Sequence, residues 1–292
     1  MKDIFSTYHP IINFTYLIAV ILLSMFFMHP VFLLISLISS MLYSIKLKGV
    51  KALRFNLLYM LPMLLFFVAI NVLLNHRGAT ILLYINDKAL TLEGIVYAIC
   101  SSVMFISVII WFSCYNEIMT SDKFIYLFGR VIPSASLIFS MVLRFVPRIK
   151  EQIKVISNGQ KSMGRDVTQG NLFKRIRSGM NILSILITWV LEDSIDTADS
   201  MNARGYGLNG RTSFSIYRFD KRDKIILSII VLFIGIVLVG GIAGVNGVVF
   251  FPTIKLARIS KLSIISYVAY GGLCLIPIIL DALEELKWKL LK

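Results

Sequence analysis

Long runs of apolar residues divide this chain into six segments, separated by short loops and one long charged stretch. The runs cover roughly residues 11–28, 31–45, 55–74, 94–114, 225–245 and 262–280. Each reaches or approaches the ~20 residues that a helix needs to cross a bilayer. The pattern predicts an all-α, polytopic membrane helical bundle. We expect about four spans in 1–114, a charged helical region in 115–223, and about two spans and a tail in 224–292.

The charged region is predicted to contain two long amphipathic helices, and prolines mark out the first. Pro133 suits the first turn of a helix, where the missing N–H group costs nothing. Pro147 is expected to end that segment, because proline inside a helix removes a backbone hydrogen bond. A fresh helix with apolar residues at helical spacing is expected from Arg148 toward Met163, with Gly164 as its stop.

The second amphipathic helix is expected to start at Asn171, a favoured capping residue. It should continue to Ala203 and Arg204 and end at Gly205 and Gly207, since glycine readily adopts the left-handed conformation beyond a helix end. One stripe at helical spacing is apolar, formed by Leu172, Phe173, Ile176, Met180, Leu183 and Ile187. The apolar stretch 182–191 is too short to span, so we expect it to pack under the membrane or against the neighbouring helix.

Composition and charge indicate a membrane protein and predict which of its loops are cytoplasmic. A mean hydropathy of +0.81 with 57% hydrophobic residues is typical of a membrane protein. The net charge of +14 reflects Lys and Arg in cytoplasmic loops, so a nucleic-acid partner is not expected. Most basic loop residues follow the second run or lie in 115–223. This favours a multi-pass protein of the cell membrane with both termini and the charged region in the cytoplasm. The loop carrying Lys255, Arg258 and Lys261 opposes the rule locally, and 281–292 is expected to be a solvated amphipathic end.

Signals for catalysis or metal binding are weak. Cys100, Cys114 and Cys274 all lie in apolar runs without metal-ligand spacing, so they are interpreted as buried small hydrophobes. No metal or cofactor is predicted. The sequence contains no G-x-x-x-x-G-K-[ST] phosphate-binding loop, so this chain is not expected to hydrolyse ATP itself.

Four stretches of the sequence resemble the transmembrane T component of energy-coupling-factor transporters, a branch of the ABC importers. They are His9-Pro10, Leu143-Arg144-Phe145-Val146-Pro147, Gln160-Lys161-Ser162-Met163-Gly164-Arg165-Asp166 and Met201-Asn202-Ala203-Arg204-Gly205-Tyr206-Gly207. The likeness covers roughly residues 5–245, and the Ala-Arg-Gly ending is its most specific element.

The resemblance implies a scaffold rather than an enzyme. In that family, two crossed cytoplasmic coupling helices each end in an Ala-Arg-Gly-like motif that docks in the groove of one of two cytoplasmic ATPase subunits. A separate membrane S component captures the vitamin or metal ion, and ATP-driven motion of the coupling helices acts on it. Ala203, Arg204 and Gly205 match the second motif fully, which predicts an ATPase-coupling role for them.

The first coupling motif departs from the family pattern. Its Ala-Arg-Gly falls on Ser162-Met163-Gly164, so Met163 occupies the arginine position. Arg165 lies about 200° further around a helix and faces another way unless the helix has already ended. Either one ATPase groove accepts Met163, or Arg165 reaches in from a bent terminus. A groove built for Arg would leave polar groups unpaired against Met, which suggests that the two ATPases are not identical.

Two other functions compete with this interpretation. Asp193, Asp196 and Asp199 are spaced by three, as in a magnesium-dependent intramembrane prenyltransferase-like enzyme. That chemistry needs two acidic clusters facing one cavity, and the only other close acidic pair is interrupted by basic residues. An ABC permease with its own substrate path would usually carry polar or ionisable residues at mid-span. The spans here are nearly free of charge, which favours a scaffold.

Overall fold

The computed structural model of the chain describes residues 3–74, 78–85, 88–129, 132–165, 167–168, 170–208, 217–257 and 260–290. The chain divides into two compact units. The first, which we call the bundle, comprises Met1–Lys123 and Tyr217–Lys292. The second, which we call the hairpin, comprises Phe124–Ile216.

Helices account for most of the bundle. After a short 3-10 turn at Phe5–Thr7, its elements are α1 (Pro10–Phe26), α2 (Pro30–Lys48), α3 (Val50–Leu74), β1 (Ile81–Ile85), β2 (Lys88–Thr91), α4 (Leu92–Ile118), the start of α5 (Ser121–Gly129), α8 (Lys221–Ile242), β3 (Val248–Val249), β4 (Lys255–Leu256) and α9 (Lys261–Leu290). The hairpin contains the rest of α5, then α6 (Pro133–Ser162) and α7 (Leu172–Ala203).

The predicted all-α membrane bundle is confirmed, since every one of the six apolar runs lies on a helix. Within the described residues, α2, α4, α8 and most of α9 are long and apolar enough to cross a membrane. The apolar stretches on α1 and α3, Pro10–Phe26 and Pro62–Val72, are shorter. Two antiparallel strand pairs, β1 with β2 and β3 with β4, lie in the loops between these helices. The sequence reading did not foresee them.

Each of the first two spans begins with a His-Pro pair that builds the same helix start. His9 Nδ1 accepts a hydrogen bond from Ile11 N at 3.3 Å, and His29 Nδ1 accepts one from Val31 N at 3.3 Å. The following proline occupies the first turn of each helix. In each helix the histidine side chain thus satisfies one of the free N–H groups of the first turn, and the proline has no N–H group to satisfy.

Aromatic side chains at the centre of the bundle tie its helices together. Trp111 on α4 is fully buried, and its Nε1 donates to Ser36 Oγ on α2 at 3.1 Å. Tyr16 on α1 meets the Trp111 ring edge-on and donates its hydroxyl to the Cys274 carbonyl on α9 at 3.0 Å. Both polar atoms are thus satisfied inside an apolar core, as burial requires.

A buried carboxylate joins the last helix to the start of the chain. Asp281 is only 2% exposed, its Oδ1 accepts from Ile4 N at 3.0 Å, and its Oδ2 lies 3.1 Å from the Lys46 ammonium. The expectation that Asp281 belongs to a solvated end is therefore wrong. Its partners lie far away in the sequence, so no local pattern could reveal its burial.

Asp3 completes this polar cluster from the N-terminal segment. Its Oδ2 accepts from Ser6 N at 3.1 Å and from the Tyr43 hydroxyl at 3.0 Å. Burial, followed by the nearby charge of Asp281, raises the pKa of Asp3 to about 6. The Lys123 ammonium donates to the Ser6 carbonyl at 2.6 Å and so fastens the same segment from α5. The start of the chain is therefore held by α2, α5 and α9.

Candidate partner-binding site on the hairpin

The first hairpin helix is continuous. α6 begins at Pro133, as predicted, but runs through Pro147 to Ser162, so the expected break at Pro147 is wrong. Proline lacks the N–H group that would bond the Leu143 carbonyl, which weakens the helix locally. Pro147 is exposed, so its ring avoids the packed side of α6, and helical residues on both sides continue the pattern.

The second hairpin helix starts where the sequence indicated. Asn171 is the N-cap of α7, with extended backbone angles, but its side chain makes no capping hydrogen bond. The Arg175 guanidinium instead donates through Nε to the Val167 carbonyl at 2.9 Å. The position of the cap was thus predicted correctly, whereas the side-chain bond that usually explains it is not formed; the arginine contact ties the first turn of α7 to the preceding loop without satisfying the N–H groups of the helix start.

An arginine on α6 holds α7 in an antiparallel pairing. Arg148 makes two contacts with Asp193, Nη1 to Oδ2 at 3.0 Å and Nη2 to Oδ1 at 2.8 Å. The same guanidinium lies 5.3 Å from the centre of the Trp189 ring. This two-pronged geometry is the strong form of an arginine–carboxylate pair. Asp193 is one of the three aspartates that suggested a magnesium-dependent enzyme. Because its carboxylate is already paired with Arg148, two of the three carboxylates remain for a metal ion.

The pairing places the two helix ends far apart within the hairpin. The C-terminal end of α7 lines a groove together with residues 137–144 of α6. From there α6 continues to Met163, a rise of roughly 30 Å at ~1.5 Å per residue. The hairpin therefore presents two separate tips, one at each end of the pair.

Both tips end in the same backbone structure. At the end of α6, Gly164 N bonds the Lys161 carbonyl at 3.0 Å and Arg165 N bonds the Gln160 carbonyl at 2.9 Å. At the end of α7, Gly205 N bonds the Asn202 carbonyl at 3.0 Å and Tyr206 N bonds the Met201 carbonyl at 3.0 Å. These paired bonds define a Schellman motif in each helix.

The glycines make this ending possible. Gly164 has φ 74° and Gly205 has φ 76°, in the left-handed region that side-chain-bearing residues rarely adopt. The cap residues before them, Met163 and Arg204, share nearly the same backbone angles, φ −89° and ψ 13° against φ −84° and ψ 6°. Met163 is therefore the positional counterpart of Arg204, and Arg165 is the counterpart of Tyr206.

The two tips differ in chemistry. Met163 is 63% exposed and offers an apolar, flexible side chain. Arg204 lies beside a groove of about 490 Å³ that also takes in Arg144 from α6. The other polar side chains that line it carry hydroxyl groups, namely Ser140, Thr197, Ser200 and Tyr206. One tip thus suits an apolar pocket and the other suits an anionic group.

The apolar stripe of α7 is exposed, not packed against α6. Phe173 is 87% exposed, and Ile176, Met180, Leu183 and Ile187 are also exposed. The side of α7 that carries Trp189 and Asp193 contacts α6 instead. The stripe therefore does not pack against α6. The other expectation for the stretch 182–191, that it packs under the membrane, stays a prediction. An exposed apolar row of this length is typical of a surface that a partner or lipid covers.

Sequence reasoning missed two features of this site. It did not single out Arg148 and Trp189, although an arginine one turn after Arg144 places both guanidiniums on the same side of α6. It also did not associate Arg144 with the α7 tip, because their proximity depends on the antiparallel pairing. The ends of the two helices, in contrast, were predicted from the positions of Gly164 and Gly205, and their role as coupling tips stays a prediction from the family resemblance.

Comparison with known proteins places most of the chain in a described family. A family model with the description CbiQ, cobalt transport protein, matches residues 8–215. The chain is 36% identical over 109 residues to the energy-coupling factor transporter transmembrane protein EcfT of Lactobacillus helveticus, a match covering 37% of this chain and 39% of that protein. It is 36% identical over 104 residues to EcfT of Lactococcus lactis, covering 35% and 39% of the two chains.

A third similarity extends further along the sequence. EcfT of Leuconostoc gelidum is 27% identical over 182 residues, which covers 59% of this chain and 68% of that protein. The matched part thus spans about two fifths of the first two relatives and about two thirds of the third. All three relatives carry names of transporter membrane components and not of enzymes.

Proposed function

The chain belongs to the CbiQ cobalt transport protein family, and from this premise we propose that it is the transmembrane coupling subunit of an energy-coupling-factor ABC importer. Its hairpin transmits ATP-driven motion from two cytoplasmic ATPase subunits to a membrane S component that binds the substrate. The chain itself hydrolyses nothing and carries no cofactor. Its substrate class is a vitamin or a metal ion, chosen by the S component.

The observation that carries this proposal is the repeated ending of α6 and α7. Two helices of one antiparallel pair stop in the same Schellman motif, with Met163 and Arg204 in equivalent positions. A Schellman ending turns the chain away at once, which leaves the last helical turn free to enter a groove. Two such ends at a distance suit two motor subunits, each taking one tip.

The residues of the two tips have defined roles in this proposal. Ala203 lets a partner backbone approach closely, Arg204 offers a rigid donor fork, and Gly205 redirects the chain. At the other tip, Ser162, Met163 and Gly164 play the matching parts, and Arg165 follows beyond the turn. Since the tips differ in chemistry, the two ATPase subunits are non-identical.

The exposed stripe of α7 supports the same picture. Its apolar side chains, beginning at Phe173, need a partner or the bilayer surface to cover them. We assign this surface to the S component, which must sense motion of the hairpin. The protein lies in the cell membrane with both termini cytoplasmic, as the distribution of Lys and Arg favours.

The decisive experiment uses Arg204→Glu in the full chain, co-purified with the two ATP-binding-cassette subunits from the same genome. Reversing the charge at a docked tip should weaken association at least about 100-fold, because a groove that complements the Arg204 guanidinium would repel a carboxylate in its place. Size-exclusion chromatography and ATP turnover of the complex measure the loss.

A matched control is Arg218→Glu, which reverses an equally exposed charge in the bundle. This variant should assemble like the parent chain. If the complex containing Arg204→Glu forms in normal yield and turns over ATP at the parental rate, the docking role of the α7 tip is wrong.

A further inference from the structure

The groove beside the α7 tip is built by two helices, not one. α6 contributes Arg144 and Ser140, and α7 contributes Arg204, Thr197 and Ser200. Both guanidinium groups belong to exposed side chains. Tyr206 follows the tip of α7, so the chain concentrates two positive charges and four hydroxyl-bearing side chains around one cavity of about 490 Å³.

Arg144 and Arg148 lie one turn apart on α6 but differ in their ion-pair partners. Arg148 has its carboxylate partner inside the hairpin, Asp193, at 2.8 and 3.0 Å. No carboxylate lines the groove that holds Arg144, and in the described part of the chain neither Arg144 nor Arg204 belongs to an ion pair. An anion in the groove would satisfy both charges at once.

We propose that Arg144 and Arg204 together bind one acidic side chain of the ATPase subunit that docks at the α7 tip, with its carboxylate seated between α6 and α7. This inference rests on the proposed function and extends it, because the docking site becomes a composite of both helices. The hydroxyl groups of Ser140, Thr197 and Ser200 can donate further hydrogen bonds to the same carboxylate.

The composite site also explains how the two ATPases are told apart. The tip of α6 presents Met163 at the position of Arg204, and a carboxylate buried against it would go unpaired. An ATPase with the acidic residue is therefore directed to the α7 tip, and a partner with an apolar pocket to the α6 tip. Specificity of this kind needs a penalty at the wrong site as well as a contact at the right one.

The test compares Arg144→Gln, Arg204→Gln and the double variant in the full chain. Binding of each purified ATPase subunit to the chain in nanodiscs is measured by biolayer interferometry. Each single change should weaken one ATPase, and only that one, by about 10-fold or more. Because both guanidiniums serve one carboxylate, the double variant should lose clearly less than the product of the two single losses.

Two controls separate binding from folding. Lys150→Gln removes an exposed positive charge from α6 outside the groove and should bind like the parent. The melting temperature of every variant should match that of the parent, since Arg144 and Arg204 are exposed and belong to no ion pair in the described part of the chain. The partner carboxylate can be identified by charge exchange. An Asp or Glu of the ATPase whose replacement by lysine restores binding to the Arg144→Glu variant is the residue that occupies the groove.

The outcomes distinguish this inference from the function on which it rests. If Arg204→Gln weakens binding and Arg144→Gln does not, the α7 tip docks alone and the composite site is wrong, although the coupling role stands. If the parent chain binds neither ATPase, both fail. If the effect of Arg144→Gln requires anionic phosphatidylglycerol and is absent in phosphatidylcholine nanodiscs, a lipid phosphate occupies the groove and the inference is overturned.

Discussion

The bundle and the hairpin bury their side chains in opposite ways. In the described residues, every fully or nearly fully buried hydrophobic side chain lies in the bundle, whereas the buried residues of the hairpin are Gln160 and Ser178, both polar. The hairpin nevertheless carries a long apolar stripe on α7, which begins at Phe173 and is exposed. Both units also expose apolar side chains, such as Phe26 and Ile242 in the bundle, but only the bundle has an apolar core of its own in the described residues.

This difference in burial suggests that the bundle determines the stability of the chain and that the hairpin serves association with partners. A packed core loses several kcal/mol when a large side chain is removed, because the cavity does not close. An exposed helix pair depends more on local helix stability and on a few cross-links such as Arg148 with Asp193. Changes in the hairpin should therefore affect association with partners before they affect folding of the chain.

The largest expected difference comes from truncating one residue in each unit. Trp111→Ala removes the aromatic centre of the bundle and orphans Ser36, so the free energy of unfolding should fall by roughly 3–5 kcal/mol. Ile187→Ala truncates an exposed residue of the stripe and should change it by less than about 0.5 kcal/mol. Thermal unfolding of both variants in the same detergent measures the contrast. Similar losses in both would mean that the hairpin stripe is packed in the protein.

A smaller effect should follow from equalising the two hairpin tips. Met163→Arg places an arginine at the position that Arg204 occupies in the other tip. The ATPase that recognises Arg204 should then bind the α6 tip about 10-fold more tightly, near 1.4 kcal/mol, and displace the other subunit. Native mass spectrometry of the complex counts the copies of each ATPase.

The reciprocal variant is the matched control for that exchange. Arg204→Met should weaken the same ATPase at the α7 tip and leave the α6 tip unchanged. If Met163→Arg changes neither affinity nor subunit composition, the two ATPases do not distinguish the tips by this side chain.

Much of this organisation could be predicted from sequence because it is encoded locally. The apolar runs gave the helices, and Gly164 and Gly205 marked the two tips through a backbone conformation that favours glycine. The predictions from sequence were wrong where the structure of a residue depends on its three-dimensional surroundings. α6 continues through Pro147, whose ring is exposed to solvent. Asp281 is buried against Ile4 and Lys46, which are both far from it in sequence. The Arg144 groove depends likewise on a pairing that periodicity alone does not specify.

The smallest expected effect tests the polar cluster that closes the bundle. The pKa of Asp3 rises from 3.8 to about 6 on folding, first because of burial and then because of Asp281. Between these values the folded chain holds a proton that the unfolded chain releases. This carboxyl group therefore contributes its full stabilisation of the folded state below pH 3.8. That contribution decreases as the pH rises from 3.8 and is lost once the pH has passed about 6. Because Asp3 is only partly buried, screening by solvent reduces the effect to about 1 kcal/mol.

Asp3→Asn keeps an oxygen to accept from Ser6 N and the Tyr43 hydroxyl but removes the charge that opposes Asp281. The variant should melt roughly 2–4 °C above the parent at pH 7.5. The difference should shrink as the pH falls through about 6 and vanish only below pH 3.8, where the folded and the unfolded parent are both protonated. Asp122→Asn, which removes an acidic charge from an exposed position at the start of α5, should leave the pH profile unchanged. If the parent chain instead gains stability from pH 5 to pH 7.5 and Asp3→Asn abolishes that gain, Asp3 is stabilised as a carboxylate and the cluster is held by ion pairing with lysine.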